Sequence, residues 1–148
     1  MALVLPPHLS RRILCVSFLS VASVASAAYN ECKGSVVCAT LVLLTSINYW
    51  RHPVFGWRRN LDIAVCAGSL SYQLGLAATA APPTARDAYF AMVAAALSCY
   101  GCSRYFSFAR GDKELASRFH CALHCLGNLG NVLLYDSLHT NWMGWKDE

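Results

Sequence analysis

His120 and His124 stand four residues apart. On a helix that spacing puts both imidazoles on one face, a turn apart, where they can grip one metal ion, and imidazole pairs suit zinc. Upstream, Asp62 opens an apolar run after Arg58-Arg59-Asn60-Leu61, and Ser46 lies near the end of the run before it. Ionisable groups in apolar segments are expensive to keep in lipid, so each marks a candidate site. Each also has a plainer reading. The histidines could make interhelical hydrogen bonds in a packed bundle, and Ser46 could be a small packing residue. Asp62 could be an acid favoured by a helix N-terminus or an interfacial partner of Arg58 or Arg59. Cys121 and Cys125 repeat the histidine spacing but project about 100° further round the helix, so all four side chains do not converge on one ion. Cys99-Tyr-Gly-Cys102 has the CxxC form of redox motifs, without the βαβ surroundings that give the motif its meaning.

The elements that must position these residues are apolar helices. Of 148 residues, 56% are hydrophobic and 14% charged, against about 25% charged in a typical soluble domain. The shortage of charge is gathered into five runs, 12–29, 35–50, 61–81, 88–108 and 115–138. Each is near the roughly 20 residues a helix needs to cross a bilayer, the second being the shortest. A helix satisfies its own backbone hydrogen bonds, which lipid cannot do. Pro53-Val-Phe-Gly56 and Pro82-Pro83 interrupt the pattern where loops belong. The expectation is an all-α, polytopic membrane helix bundle of about five transmembrane helices, forming a single domain over 1–148. With five crossings, one side collects 9 of the 12 basic residues, including Arg11, Arg12, Arg58, Arg59 and Arg104; the other has Lys33, Arg86 and Lys146. The positive-inside rule then puts the N-terminus inside and the C-terminus outside. Ser46, Asp62, His120 and His124 thereby fall in one membrane layer, towards the inner face.

That arrangement resembles the superfamily of alkaline ceramidases and progestin/adipoQ receptors, often called CREST. Its pattern is a serine late in one helix, a histidine one turn on, an aspartate opening the next helix, and HxxxH in the last. Ser46, Asp62 and His120-Cys-Ala-Leu-His124 match in order, side and approximate spacing, over about 42–65 and 119–134. The resemblance implies zinc held by three histidines, with aspartate and serine assisting a metal-bound water in hydrolysis of a lipid amide or ester. Asp62 would orient that water and take its proton, and Ser46 would donate to the developing oxyanion. The sequence departs from the pattern in having five runs instead of seven helices and Trp50 where the first histidine belongs. His52, if Pro53 ends the helix and lets the chain turn back, is the candidate third ligand. Two readings follow: an active site completed by His52, or a degenerate, non-catalytic relative.

A different class also fits. A small cysteine-rich helical protein with a short polar tail suits an accessory subunit of a large membrane complex, such as a mitochondrial respiratory or ATP synthase assembly. Asn48–Pro53, Trp57-Arg58-Arg59 and Trp142-Met-Gly-Trp145 would then be interfacial anchors. The expected partners are membrane lipids and other membrane subunits. A net charge of +4 without aromatic-basic interleaving argues against nucleic acid. The mitochondrial inner membrane and the endomembranes are both open. Transport has little support, since no segment looks like a paired broken helix. Arg11-Arg12, the apolar stretch and Ala25-Ser26-Ala27 also resemble the parts of a cleavable signal peptide, the alternative to a first membrane helix. Cys32 and Cys38 flank a candidate loop that a disulfide could close.

Overall fold

The computed structural model describes residues 4–144, with side chains up to Leu138. It is all-α, with no strand among the described residues: α1 (Pro7–Ser17), α2 (Ser20–Tyr29), α3 (Lys33–Trp50), α4 (Trp57–Ala80), α5 (Pro83–Phe108) and α6 (Lys113–Gly144). Two rods, Pro7–Tyr29 and Trp57–Ala80, are long and apolar enough to cross a membrane. Trp145 and Lys146, and the side chain of Trp142, lie outside the described residues.

The first apolar run begins earlier than expected and is two helices in one rod. At Phe18-Leu19 the ladder tightens: Leu19 N–H donates to the Val16 carbonyl at 3.0 Å and Val21 N–H to Phe18 at 3.0 Å, three residues back rather than four. Just before this, the Ser17 hydroxyl donates to the Ile13 carbonyl at 2.9 Å, a back-bond that bends helices. The segment is built into the bundle. Leu9, Ile13, Ser17, Ser23 and Ala27 on one face are each buried, and Arg12 reaches Glu114 of α6 at 2.8 Å.

The turns explain the remaining boundaries. Glu31, in left-handed conformation at φ 56, ends α2; the Cys32 N–H returns to the Ala27 carbonyl at 2.9 Å, closing a Schellman-type stop. Pro83 is the first residue of α5, where its fixed φ is an asset and its missing N–H has no partner to lose. The double proline therefore starts a helix five residues earlier than the apolar run suggests. Asp112, after Gly111 at φ 70, caps α6 by accepting the Leu115 N–H at 2.9 Å. The eight cysteines are free thiols, so Cys32 and Cys38 are not bridged. Burial pushes the Cys32 thiol above its ordinary pKa and keeps it protonated.

α6 packs along its length on α5 and also meets α1 and α2, while α3 meets α1, α2 and α4. Gly130 lets α5 and α6 come close: a Cβ there would stand 3.3 Å from Met92 and 3.5 Å from Tyr89. α4 leans on α3 and scarcely touches α5 or α6. The helices thus form a horseshoe in the order α4, α3, α1–α2, α6, α5, with α4 and α5 as its free arms. Its fully buried side chains include Ser17, Ser23, Ser35, Ser46 and Ser117, whereas Phe18, Leu41, Leu44, Ile63 and Leu97 are exposed. Large apolar residues on the outside suit a protein solvated by lipid.

Candidate functional site

A cavity of about 420 Å³ lies inside the horseshoe, and Ser46, Asp62, His120 and His124 all line it. Each is delivered by a helix end on the same side of the bundle: α3 finishes there, and α4 and α6 start there.

Asp62 is buried at 8% exposure and faces α3. Its Oδ1 accepts the Ser46 hydroxyl at 2.8 Å and lies 3.1 Å from the Thr45 hydroxyl. Thr45 has one proton and also stands 2.9 Å from the Leu41 carbonyl, so Ser46 is the committed donor. Asp62 sits beyond the first turn of α4, and no ion pair joins it to Arg58 or Arg59 among the described residues. Neither plainer reading of Asp62 describes what it does; it ties α4 to α3. The Ser46 proton given to Asp62 is also not free to stabilise an oxyanion, the role the family resemblance implies for it.

His120 and His124 share a face as their spacing requires, with ring centroids 5.2 Å apart. Rings whose nitrogens reach one zinc at about 2.0–2.1 Å stand on the order of 5 Å apart, so the spacing of the pair suits a shared ion. The third ligand is missing. α3 ends at Trp50, and in the connection that follows the His52 N–H is tied to the Tyr49 carbonyl at 3.1 Å. The Pro53 carbonyl accepts the Val4 N–H at 2.8 Å, which ties the connection to the segment before α1. His52 is exposed and is not part of the cavity wall. The place beside the histidines belongs to Trp50, whose ring meets His120 edge-on at 4.9 Å between centroids. An indole N–H only donates, so it cannot ligate. No group of three His, Cys, Asp or Glu side chains is placed to hold an ion among the described residues. The donor set does not fit the three-ligand zinc site that the resemblance implies.

The polar lining extends beyond these four. On α4, Asp62, Cys66, Ser69 and Gln73 line the cavity, and on α6, His120, His124, Asn128 and Asn131 do. Steps of three and four keep each set on one helix face, so two polar seams run along the cavity for about 16 Å. At the far end Gln73 donates to the Tyr135 hydroxyl at 2.6 Å and accepts from Ser35 at 3.4 Å. Ser23 donates to Asn128 at 2.7 Å. Gln73 and Ser69 escape a reading that searches for ionisable groups. The 4-3-4 spacing from Asp62 to Gln73 is the signal that carries them. Between the seams the wall is apolar, with Val42, Ala67, Leu70, Val93 and Ala96.

Searches against protein-family models, curated protein sequences and solved structures find no match for this chain.

Proposed function

We propose that the chain is an integral membrane protein of five spans, N-terminus inside and C-terminus outside. In this reading it descends from the alkaline ceramidase and progestin/adipoQ receptor type and uses the inherited cavity to bind lipid rather than to hydrolyse it. The observation that carries this is Trp50 against His120. The residue at the place of the family's first histidine, four after Ser46, stands beside the HxxxH pair in space as well. The layout is retained and the ligand is replaced. An ancestor's lipid cavity without its zinc becomes a binding site, and a cavity of about 420 Å³ falls within the range of small-molecule sites. Of the two membranes considered, the endomembranes agree with this ancestry.

The 9-to-3 basic split supports the topology, as does the common placement of Ser46, Asp62 and the two histidines at one end of the bundle. The test is to purify the intact protein in mild detergent, then measure zinc by elemental analysis, bound lipid by mass spectrometry and cleavage of lipid amides. The expected result is bound lipid, zinc far below one equivalent and no cleavage. Stoichiometric zinc lost in His120→Ala/His124→Ala would restore the hydrolase reading. A stable stoichiometric complex with other membrane proteins, without bound lipid, would favour the accessory subunit.

A further inference from the structure

The free arms of the horseshoe leave the cavity open on one side. Ile63 of α4 and Leu97 and Phe108 of α5 line the cavity, yet they are 43%, 49% and 58% exposed. Side chains that are wall and surface at once mark the edges of an opening. In a membrane, a slot between two helix arms faces acyl chains, so its natural entrant arrives laterally from the bilayer.

Each lip of this slot carries one guanidinium at the end where Asp62 lies. Arg59 is in the first turn of α4 and Arg104 in the last turns of α5, and both line the cavity. Arg59 lies near the Tyr49 side chain and stands 5.5 Å from the Phe55 ring centroid. Arg104 lies over the Phe108 ring at 4.3 Å. Neither has a carboxylate partner among the described residues; the ion pairs there are made by Arg12, Arg86 and Arg118. The one acid in the cavity wall, Asp62, turns its oxygen to Ser46 and Thr45. Two cations held by neutral rings and a phenol, across an opening, are left for an anion from outside the chain. Guanidinium forks match phosphate oxygens in pairs. A phosphate monoester, at about −1.5 to −2 charge, balances two of them better than a carboxylate does.

The cavity sets the tail. Its wall between the polar seams, with Val42, Ala67, Leu70, Val93 and Ala96, matches an acyl chain. We infer that the slot between α4 and α5 binds a lipid with a phosphate monoester head, the phosphate between Arg59 and Arg104 and an acyl chain in the cavity. This rests on the lipid-binding reading and adds the head and the route of entry.

The test uses intact protein in nanodiscs of neutral phospholipid and three probes with the same oleoyl chain: lysophosphatidate, free fatty acid and monoacylglycerol. Lysophosphatidate is expected to bind at least about tenfold more tightly than either other probe, since its phosphate alone can make charge-assisted hydrogen bonds to both guanidinium groups at once. That preference should vanish in Arg59→Gln/Arg104→Gln and largely survive in Arg59→Lys/Arg104→Lys, which keeps the charge and controls for folding. Equal binding of lysophosphatidate and monoacylglycerol, unchanged by the Gln pair, overturns the clamp while leaving lipid binding in place. Equal binding of the fatty acid overturns the phosphate assignment. Binding of none of the three overturns the lipid-binding reading itself.

Discussion

Trp50 and His120 meet edge to face, with ring centroids 4.9 Å apart, and this contact puts an indole beside the HxxxH pair, where a third zinc ligand would have to stand. Position 50 lies one turn after Ser46, whose hydroxyl holds Asp62. An imidazole in place of the indole would share a space with His120 and His124. Trp50→His is therefore expected to take up about one zinc per chain, since three protein ligands suffice for an open zinc site. Elemental analysis of the purified variant checks this. His124→Ala in the same background should release the metal, and a Trp50→His protein as zinc-poor as the parent would contradict the assignment of position 50.

The Ser46–Asp62 bond, at 2.8 Å across α3 and α4, is the shortest of the polar ties from α3 to this free arm of the horseshoe. Interhelical hydrogen bonds in membranes couple by about 0.6 kcal/mol on average and up to about 1.7. A double-mutant cycle of Ser46→Ala and Asp62→Asn, read by thermal unfolding in detergent, should give coupling in the upper part of that range because Asp62 is buried. Additive single effects would mean the two side chains do not act together.

At the other end, Gln73 bridges Tyr135 at 2.6 Å and Ser35 at 3.4 Å. Gln73→Leu keeps the bulk and strands two hydroxyls, so it is expected to destabilise by about 1–3 kcal/mol. Tyr135→Phe should cost about 0.5–1.5 kcal/mol and should have little further effect once Gln73 is Leu. Unfolding midpoints of the singles and the double decide this, full additivity being the contrary result.

Outside the spans, Glu114 accepts from Arg12 at 2.8 Å and from Arg118 at 3.1 Å. Those hydrogen bonds, Arg12 first, hold its carboxyl below the ordinary value of 4.5. A depressed carboxylate contributes stability that is present above the unfolded pKa and is lost as pH falls through the folded one. The tie between α1 and α6 should therefore weaken below about pH 4.5, by a small amount because the pair is exposed. Melting curves of wild type and Glu114→Gln at pH 7 and pH 3 should converge at the lower pH, and less difference should remain at high salt. A Glu114→Gln difference that is equal at both pH values would contradict the pairing.

The helices are legible because long apolar runs favour a fold that satisfies its own backbone hydrogen bonds. The helix ends were less so. Pro82-Pro83 reads equally as a stop or a start, and only the neighbouring packing makes Pro83 a first residue. Hydropathy does not show the tightening at Phe18-Leu19, because a three-residue hydrogen-bond step leaves composition unchanged. At the site, the shared face of His120 and His124 follows from spacing alone. The partner of Asp62 does not, since Arg58 and Arg59 are nearer in sequence than Ser46 and lose to it in space. His52 is a candidate by residue type, and its exposed place after the end of α3, off the cavity wall, removes it. Trp50 was visible as a departure from the family pattern, but its contact with His120 needed the fold.

The most direct test of the lipid-binding account is native mass spectrometry of the intact protein, released from detergent without added ligand. The account predicts a population carrying one lipid per chain and no zinc adduct. A zinc adduct at one per chain, absent from His120→Ala/His124→Ala, together with a lipid-free cavity, would contradict it.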